Sequence, residues 1–237
     1  MVDDSPTVSR ETFGPALGRS GSALEAEPAS AQQVFGDRID LARRFAADLG
    51  LLGEQLGLIG PLEAARLWSR HIINCAVVAP FVYAGGRVAD VGSGAGLPGL
   101  VLAIARPDAH FVLVEPMERR TDWLVAETER LGLTNVTVLR ARAEDVLAMG
   151  ALDEGGFDQV TARAVSALTK LIPLVAPLVK PRGELLFLKG ARVHEEIAAA
   201  ASVIRRHAVH DVEVLELGAG LVPEVTRLFR ATVGGAS

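Results

Sequence analysis

The sequence predicts an α/β protein with a seven-stranded, mostly parallel sheet that ends in an antiparallel hairpin. Two features predict this class. From residue 87 onward, short apolar runs alternate with helical stretches, and such alternation builds βαβ units with parallel strands. The last two apolar runs are separated only by the turn LGAGLVP, which is too short for a crossover and therefore joins antiparallel strands.

Each element follows from its own apolar pattern. The five parallel strands are predicted over residues 88–91, 111–114, 136–139, 157–161 and 185–188. The helices between them, which would cover both faces of the sheet, are predicted over residues 97–105, 117–131, 166–179 and 193–206. The hairpin strands are predicted over residues 211–217 and 225–233.

A helical cap over residues 31–84 precedes the main domain of residues 85–237, and we expect the two to form one globular unit. The cap contains a predicted helix over residues 30–50, where Ser30 and Gln33 have the spacing of a capping box, and a second over residues 62–78. Residues 1–30 are rich in Ser, Ala, Gly, Pro and Glu and are expected to form a disordered tail.

The composition excludes several classes of protein. The single cysteine, Cys75, rules out an intrachain disulfide framework and a Cys-rich zinc site, and the five scattered histidines include no close pair at metal spacing, so no metal is expected. No apolar run approaches the roughly 20 residues of a membrane helix, and residues 1–30 lack a signal-peptide pattern. We therefore expect a cytoplasmic protein without a membrane partner. With a net charge of −5, it would have to meet a nucleic acid through a local basic patch.

The stretch RVADVGSGAGLPG at residues 87–99 fits two cofactor-binding patterns. From Gly94 it satisfies G-x-G-x-x-G, the dinucleotide loop, and from Asp90 it satisfies D-x-G-x-G-x-G, the glycine loop of enzymes that use S-adenosylmethionine. The terminal hairpin favours the second pattern, because a dinucleotide domain continues with parallel crossovers, and Pro98 is unusual in the first. We therefore expect a Rossmann-like class I S-adenosylmethionine-dependent methyltransferase fold, with an NAD-binding oxidoreductase as an alternative.

Ligands of open α/β sheets bind beyond the carboxyl ends of the strands, and polar residues follow each predicted strand at that edge. The first two strands would supply glycines and acids, and Glu115 is placed to accept hydrogen bonds from ribose hydroxyls. The later strands would supply mainly bases. The residues expected around this crevice are Asp90, Gly92, Gly94, Gly96, Glu115, Arg142, Glu144, Arg163 and Lys189.

Five motifs along the chain resemble those of one known family. They are RHIINC at residues 70–75, DVGSGAGLPG at 90–99, ARAED at 141–145, ARAVSAL at 162–168 and FLKG at 187–190. With these motifs the chain resembles the family of ribosomal RNA small subunit methyltransferase G, also called glucose-inhibited division protein B, over nearly all of its ordered length. The glycine loop alone would indicate only a class I methyltransferase.

The resemblance implies methyl transfer from S-adenosylmethionine to N7 of a guanine in the 530 loop of 16S ribosomal RNA, with that RNA or the small ribosomal subunit as partner. It implies cofactor contacts from Gly92, Leu97, Ala143, Glu144 and Arg163. The basic residues expected to face the RNA are Arg142, Arg163 and Lys189. His71, beside Arg70, is expected either to pack in the cap or to form an RNA-facing wall of the pocket. We expect a monomer.

Guanine N7 carries a lone pair and no proton, so its methylation requires positioning of the reactants and no general base. We therefore expect no catalytic acid or base. The Asn/Asp-Pro-Pro-aromatic motif typical of amino-group methyltransferases is absent, and Cys75 lies in the cap rather than at the crevice, where a C5-pyrimidine enzyme would need a nucleophile. A methyltransferase that acts on a small molecule or a protein is the other alternative.

Overall fold

The structure, a computed structural model, describes residues 23–149 and 155–234. Within this part of the chain the strands of one sheet are β1 (Arg87–Val91), β2 (His110–Val114), β3 (Val136–Leu139), β4 (Phe157–Arg163), β5 (Val179–Lys189), β6 (Val209–Leu217) and β7 (Thr226–Val233). Their order across the sheet is β3-β2-β1-β4-β5-β7-β6. Strand β7 is antiparallel to both neighbours, and the other pairs are parallel. The predicted sheet and its terminal hairpin are confirmed.

The α-helices of the described residues are α1 (Ser30–Phe35), α2 (Ile39–Leu52), α3 (Ile73–Ala76), α4 (Gly99–Ala105), α5 (Glu118–Leu131), α6 (Ala143–Val146), α7 (Leu168–Val175) and α8 (Val193–Arg206). The helix predicted over residues 166–179 is shorter than expected. It gives way to a 3₁₀ turn at Ala176–Leu178, where Pro177 has no N–H to continue an α-helix, and β5 begins directly afterwards. No helix in this part of the chain has the length and apolar character needed to cross a bilayer.

The alternation of side chains along the central strands divides the core into two layers. Val88, Phe111 and Leu113 pack in the layer that contains the cap, α4 and α5. Ala89 and Val112 pack in the layer that contains α7 and α8. Burial of both faces is what a parallel sheet requires, and it leaves the ends of the strands as the place where polar side chains can meet a ligand.

The first cap helix differs from the prediction. A 3₁₀ turn at Gly36–Arg38 separates α1 from α2, and Gly36 has a φ of +51°, a conformation that favours glycine. The expected capping box is absent from the described residues, because the Ser30 hydroxyl instead donates to the carbonyl of Leu221 at 2.8 Å. The capping-box spacing of Ser30 and Gln33 was therefore misleading, because the Ser30 hydroxyl bonds to a residue far away in the chain rather than to its own helix.

The second cap helix is also irregular. It consists of a 3₁₀ turn at Glu63–Arg66, a π-helical turn at Leu67–Ile72 and then α3. The apolar side chains Leu67 and Ile72 are fully buried, so an apolar stripe was correctly predicted although the type of helix was not. The π-helical turn includes His71, one of the predicted site residues.

Part of the predicted tail lies outside the described residues, because residues 1–22 are not described. Residues 23–29 form neither helix nor strand but are attached to the cap. The Glu25 N–H donates to the carbonyl of Ala64 at 2.9 Å, and the Glu25 carboxylate accepts a hydrogen bond from the Ser69 N–H at 3.0 Å. The division into tail, cap and main domain remains a prediction.

Candidate functional site

The carboxyl ends of β1, β2, β4 and β5 bring the predicted site residues to one edge of the sheet. Asp90 of β1 is in register with Leu113 of β2 on one side and with Thr161 of β4 on the other. Arg163 ends β4 opposite Leu188 of β5. Because β2 and β4 flank β1, the connections run in opposite directions from this point, which is where open α/β sheets form a ligand crevice.

The glycine loop opens into this crevice at Gly94, whereas a Cβ on Gly92 would lie 2.8 Å from Val165 Cγ2. Gly92 and Gly94 are partly exposed, with φ of +73° and +55°. A Cβ on Gly94 would have only the Gly92 carbonyl oxygen within 4 Å, at 3.8 Å, so a ligand could approach the backbone closely there. Gly96 is buried, and a Cβ on it would lie 2.5 Å from Leu100 Cδ1. Gly96 and the buried Leu97 therefore pack the loop against α4.

Asp90 connects the first strand to the helix that follows the glycine loop. Its side chain is fully buried, and its carboxylate accepts hydrogen bonds from the Gly99 N–H at 3.0 Å and from the Thr161 hydroxyl at 3.0 Å. The Ser93 hydroxyl donates to the Asp90 carbonyl at 2.8 Å. Burial raises the pKa of Asp90 to about 6, against the lowering effect of these hydrogen bonds. In the structure Asp90 holds the shape of the loop.

Replacement Asp90→Asn is expected to remove a pH dependence of stability. Because the folded-state pKa is raised, the carboxyl stabilises the folded state fully below about pH 4, and this contribution of about 3 kcal/mol is lost as the pH rises through 6. Asparagine keeps an acceptor for the Gly99 N–H and can donate to Thr161. Denaturant unfolding at pH 4.5 and pH 7.5 should therefore show a smaller fall in the free energy of unfolding for the variant, and equal falls would contradict this assignment.

Glu115 follows β2 and lies against the glycine loop. Its carboxylate accepts hydrogen bonds from the Gly94 N–H at 2.9 Å and from the Met117 N–H at 3.0 Å, and the residue is 2% exposed. A carboxylate offers about four acceptor sites, so each oxygen keeps capacity for a hydroxyl donor. On the other side of the loop, the indole N–H of Trp123 donates to the Ala95 carbonyl at 3.1 Å.

The residues after β3 are brought to the same edge by the short helix α6. Arg142 precedes this helix in an extended conformation and is exposed, as is Glu144. Ala143 is 9% exposed and packs in the core layer of α7 and α8. Arg142 and Glu144 are therefore accessible to a ligand, and Ala143 holds the turn in place.

Arg163 lies at the junction of the sheet and the cap. One terminal nitrogen donates to Nδ1 of His71 at 2.6 Å, and the other donates to the Sγ of Cys75 at 3.4 Å. The second ring nitrogen of His71 lies 2.5 Å from a carboxylate oxygen of Glu63, which is also paired with Arg66. Burial and the neighbouring Arg163 lower the pKa of His71. His71 thus contacts protein groups through both nitrogens.

Lys189 differs from the expectation that it faces the RNA. Its side chain is 8% exposed, and its ammonium donates to the Ser166 carbonyl and to the Glu196 carboxylate, each at 2.9 Å. The same carboxylate oxygen of Glu196 accepts a hydrogen bond from the Leu168 N–H at 3.2 Å. This arrangement does not favour the expected phosphate contact, because the largely buried cation is already paired with Glu196 of α8, whose side chain is 28% exposed. Lys189 instead holds the segment that follows Arg163.

The Lys189→Ala variant is expected to lose stability by about 1–3 kcal/mol, since it leaves the Glu196 carboxylate and the Ser166 carbonyl without their donor. The salt dependence of RNA binding should remain that of the wild type. Thermal unfolding and binding titrations at several salt concentrations would measure both. The exposed Lys170 of α7 provides the stability control, because Lys170→Ala removes no buried partner. A flattened salt dependence of RNA binding in Lys189→Ala would instead support the expected contact between Lys189 and the RNA.

Two other observations concern metal binding and a cavity away from this edge. No group of three His, Cys, Asp or Glu side chains in residues 23–149 and 155–234 is arranged to hold a metal ion. A cavity of about 500 Å³ lies between α1, residues 76–81 and the turn after β6, and none of the predicted site residues lines it.

The sheet order, the open glycine loop and the acid after β2 define a class I S-adenosylmethionine-dependent methyltransferase fold. Solved methyltransferases share it. A predicted O-methyltransferase from Agrobacterium tumefaciens is 20% identical with a TM-score of 0.54, covering 69% of this chain and 81% of that one. An S-adenosylmethionine-dependent O-methyltransferase from Thermotoga maritima is 18% identical with a TM-score of 0.51, covering 70% and 66%.

Sequence comparison identifies the family. The family model of rRNA small subunit methyltransferase G, GidB, matches residues 38–224. Proteins named ribosomal RNA small subunit methyltransferase G from Clavibacter sepedonicus and Leifsonia xyli subsp. xyli are 59% and 57% identical, over 90% and 89% of this chain and 98% of each relative. The chain belongs to the GidB family of ribosomal RNA small subunit methyltransferases. The family predicted from the five motifs is confirmed.

Several residues of the site were not found by sequence reasoning. Thr161 could have been noticed as a polar residue inside an apolar strand, and Trp123 was assigned only to a helix. Glu63 had no visible signal, because its link to the site runs through His71, which lies 92 positions from Arg163 in the chain. Cys75 was expected to lie in the cap rather than at the crevice. It is fully buried in the cap, but its sulfur also accepts a hydrogen bond from Arg163 at the edge of the sheet.

Proposed function

We propose that the protein transfers a methyl group from S-adenosylmethionine to N7 of a guanine in the 530 loop of 16S ribosomal RNA. The observation that carries this proposal is the family match over residues 38–224 of a chain whose glycine loop is open at its crevice. We also propose that the protein acts as a monomer in the cytoplasm, where it meets the RNA or the small ribosomal subunit.

The residues of the crevice fit this cofactor. Gly94 exposes backbone at a place where a side chain would fill the space a ligand needs, and Glu115 lies directly against that backbone. Glu115 would accept hydrogen bonds from ribose hydroxyls, and the exposed Glu144 would contact the adenosine end. Asp90, Gly96, Leu97 and Ala143 would act mainly by holding the loop and the α6 turn, because their contacts are with the β1–α4 junction and with the core layers.

The bound cofactor supplies a methyl group on a sulfonium, which is already an electrophile. The protein therefore has to align the guanine N7 with that methyl group and to exclude water, and well-oriented reactants can gain about 7–11 kcal/mol from positioning alone. The positive charge passes from the sulfonium to the methylated base, so no proton has to leave N7.

Arg163 and Arg142 would provide the basic contacts to the RNA. The contacts with His71 and Cys75 engage two of the five N–H donors of the Arg163 guanidinium, and the residue is half-buried at the crevice. Arg142 is exposed at the same edge. Each charged hydrogen bond to a phosphate would contribute about 1.5–3 kcal/mol. The net charge of −5 makes such local contacts necessary.

The proposal is tested by incubation of the protein with tritiated S-adenosylmethionine and undermethylated small subunits or 16S RNA. Cleavage at 7-methylguanine followed by primer extension would map the label. We expect one labelled guanine in the 530 loop. Label at another site would retain the enzyme class and correct the target, and no label despite cofactor binding would favour a small-molecule or protein substrate.

Arg142→Ala is expected to weaken RNA binding and to reduce the salt slope of the binding constant by about 1, with unchanged affinity for S-adenosylhomocysteine. Arg206→Ala is the matched control. Its exposed side chain lies at the end of α8, which runs back from the end of β5 to the start of β6 and so ends at the opposite edge of the sheet. An unchanged slope in Arg142→Ala would exclude this contact.

A further inference from the structure

We propose that His71 is a positioning residue: its neutral imidazole accepts a hydrogen bond from Arg163 and so holds the Arg163 side chain in place. We also propose that Glu63 selects the tautomer of His71 that can accept this hydrogen bond. The inference rests on the proposed function, because it assumes that Arg163 contacts the ligands. It replaces the expectation that His71 faces the RNA.

The protons of this group can be placed from its geometry. An arginine side chain has donors only, so the His71 Nδ1 that lies 2.6 Å from the Arg163 guanidinium must be unprotonated and accept. The proton of the neutral ring is then on Nε2, which faces the Glu63 carboxylate at 2.5 Å. The His71 and Glu63 side chains are 12% and 18% exposed, so water does not readily replace these partners. The carboxylate thus selects the Nε2–H tautomer.

His71 is the stronger of the two acceptors that hold Arg163. The other, the Cys75 sulfur, lies 3.4 Å from the guanidinium, and burial raises the pKa of this thiol to about 11, so it remains a neutral, weak acceptor. A long arginine side chain has many rotamers, and fixing it before a ligand arrives reduces the entropy lost on binding. Removal of His71 should therefore disorder Arg163 without removing its charge.

The three residues come from different parts of the fold. Glu63 lies in the 3₁₀ turn of the cap, His71 lies in the π-helical turn that follows, and Arg163 ends β4. Single π-helical turns occur frequently at functional sites. Here the turn brings the imidazole between an acid of the cap and a base of the sheet, so the cap contributes to the site through Arg163.

The charges around the His71 ring predict how its contact with Arg163 responds to acid. Arg163 and Arg70 oppose protonation of His71, Glu63 favours it, and burial together with Arg163 keeps the pKa of His71 below its ordinary value. Protonation would place an N–H against the guanidinium and break the contact. The methylation rate should therefore fall in acid through this group, in addition to any fall caused by Asp90, which titrates near pH 6 and also interacts with Arg163.

The first test does not depend on activity. Proton–nitrogen correlation NMR of the wild-type protein should show the His71 ring with Nδ1 unprotonated and Nε2 protonated at pH 7. Glu63→Gln should weaken this preference, because a glutamine can either donate or accept. A wild-type His71 that is doubly protonated, or protonated on Nδ1, at pH 7 would overturn the inference even if the methylation target were confirmed.

The second test is a double-mutant cycle with Arg163, measured as kcat/KM for methylation and as calorimetric affinity for S-adenosylhomocysteine. His71→Ala should lower kcat/KM about tenfold, but by less than about twofold in an Arg163→Ala background, because the two residues act as one unit. The kcat/KM of His71→Asn, whose amide oxygen can replace Nδ1, should stay within about threefold of the wild-type value and should lose the part of the fall in acid that is due to His71.

Thermal unfolding of each variant separates a failure to fold from a loss of positioning, and His71→Asn keeps the inference testable if the alanine variant unfolds. An equal loss from His71→Ala in both backgrounds would show that His71 acts independently of Arg163 and would overturn the inference. If no RNA is methylated by the wild type, the proposed function fails, and the NMR and calorimetric measurements still decide the role of His71.

Discussion

Arg163→Ala is expected to lower kcat/KM on undermethylated small subunits by about 10²- to 10⁴-fold. The variant would lose charged hydrogen bonds to ligands, each worth about 1.5–3 kcal/mol, and would leave the buried His71 Nδ1 without its donor. Because Arg163 ends β4, next to β1 and its glycine loop, and because we propose that it also contacts the RNA, affinity for S-adenosylhomocysteine and for RNA should both fall. Steady-state kinetics and calorimetry would measure the two effects separately.

Two controls define the result. Arg142→Ala should affect RNA binding alone, and Arg206→Ala, at the opposite edge, should affect neither ligand. If Arg163→Ala weakened RNA binding with unchanged affinity for S-adenosylhomocysteine, Arg163 would be assigned to the RNA only. If both affinities and the rate were unchanged, Arg163 would be a structural residue of the junction between cap and sheet.

Gly99→Ala is expected to destabilise the protein by about 1–3 kcal/mol or more, since it adds a methyl group to a fully packed site. A Cβ on Gly99 would lie 2.3 Å from Leu113 Cδ2 and 2.5 Å from Asp90 Oδ2, and both of these side chains are fully buried. The change would also disturb the hydrogen bond from the Gly99 N–H to Asp90 that begins α4. Denaturant unfolding would measure the loss.

Gly94→Ala is the matched control within the same loop. Its Cβ would meet only the Gly92 carbonyl oxygen, so the cost to stability should be limited to the positive φ, about 1 kcal/mol, while affinity for S-adenosylhomocysteine should fall strongly. A Gly99→Ala variant as stable as the wild type would show that the β1–α4 junction can expand. A Gly94→Ala variant with unchanged cofactor affinity would place the ligand elsewhere.

The arrangement of the crevice was largely predictable because it depends on strand order alone. Once the first two strands and the fourth were recognised, the ends of β1, β2 and β4 had to meet, and with them Asp90, Glu115 and Arg163. The role of each side chain was less predictable. Lys189 was expected at the RNA, and only the position of α8 shows that Glu196 lies beside it.

The sequence by itself determined the class of fold, the terminal hairpin, the glycine loop and the family, because these depend on local periodicity and on motifs whose residues are neighbours in the chain. The tertiary structure decided the irregular cap helices, the ion pair of Lys189 with Glu196 and the chain of contacts from Glu63 through His71 to Arg163. These features depend on partners far apart in the chain, and packing rather than local propensity selects among such partners.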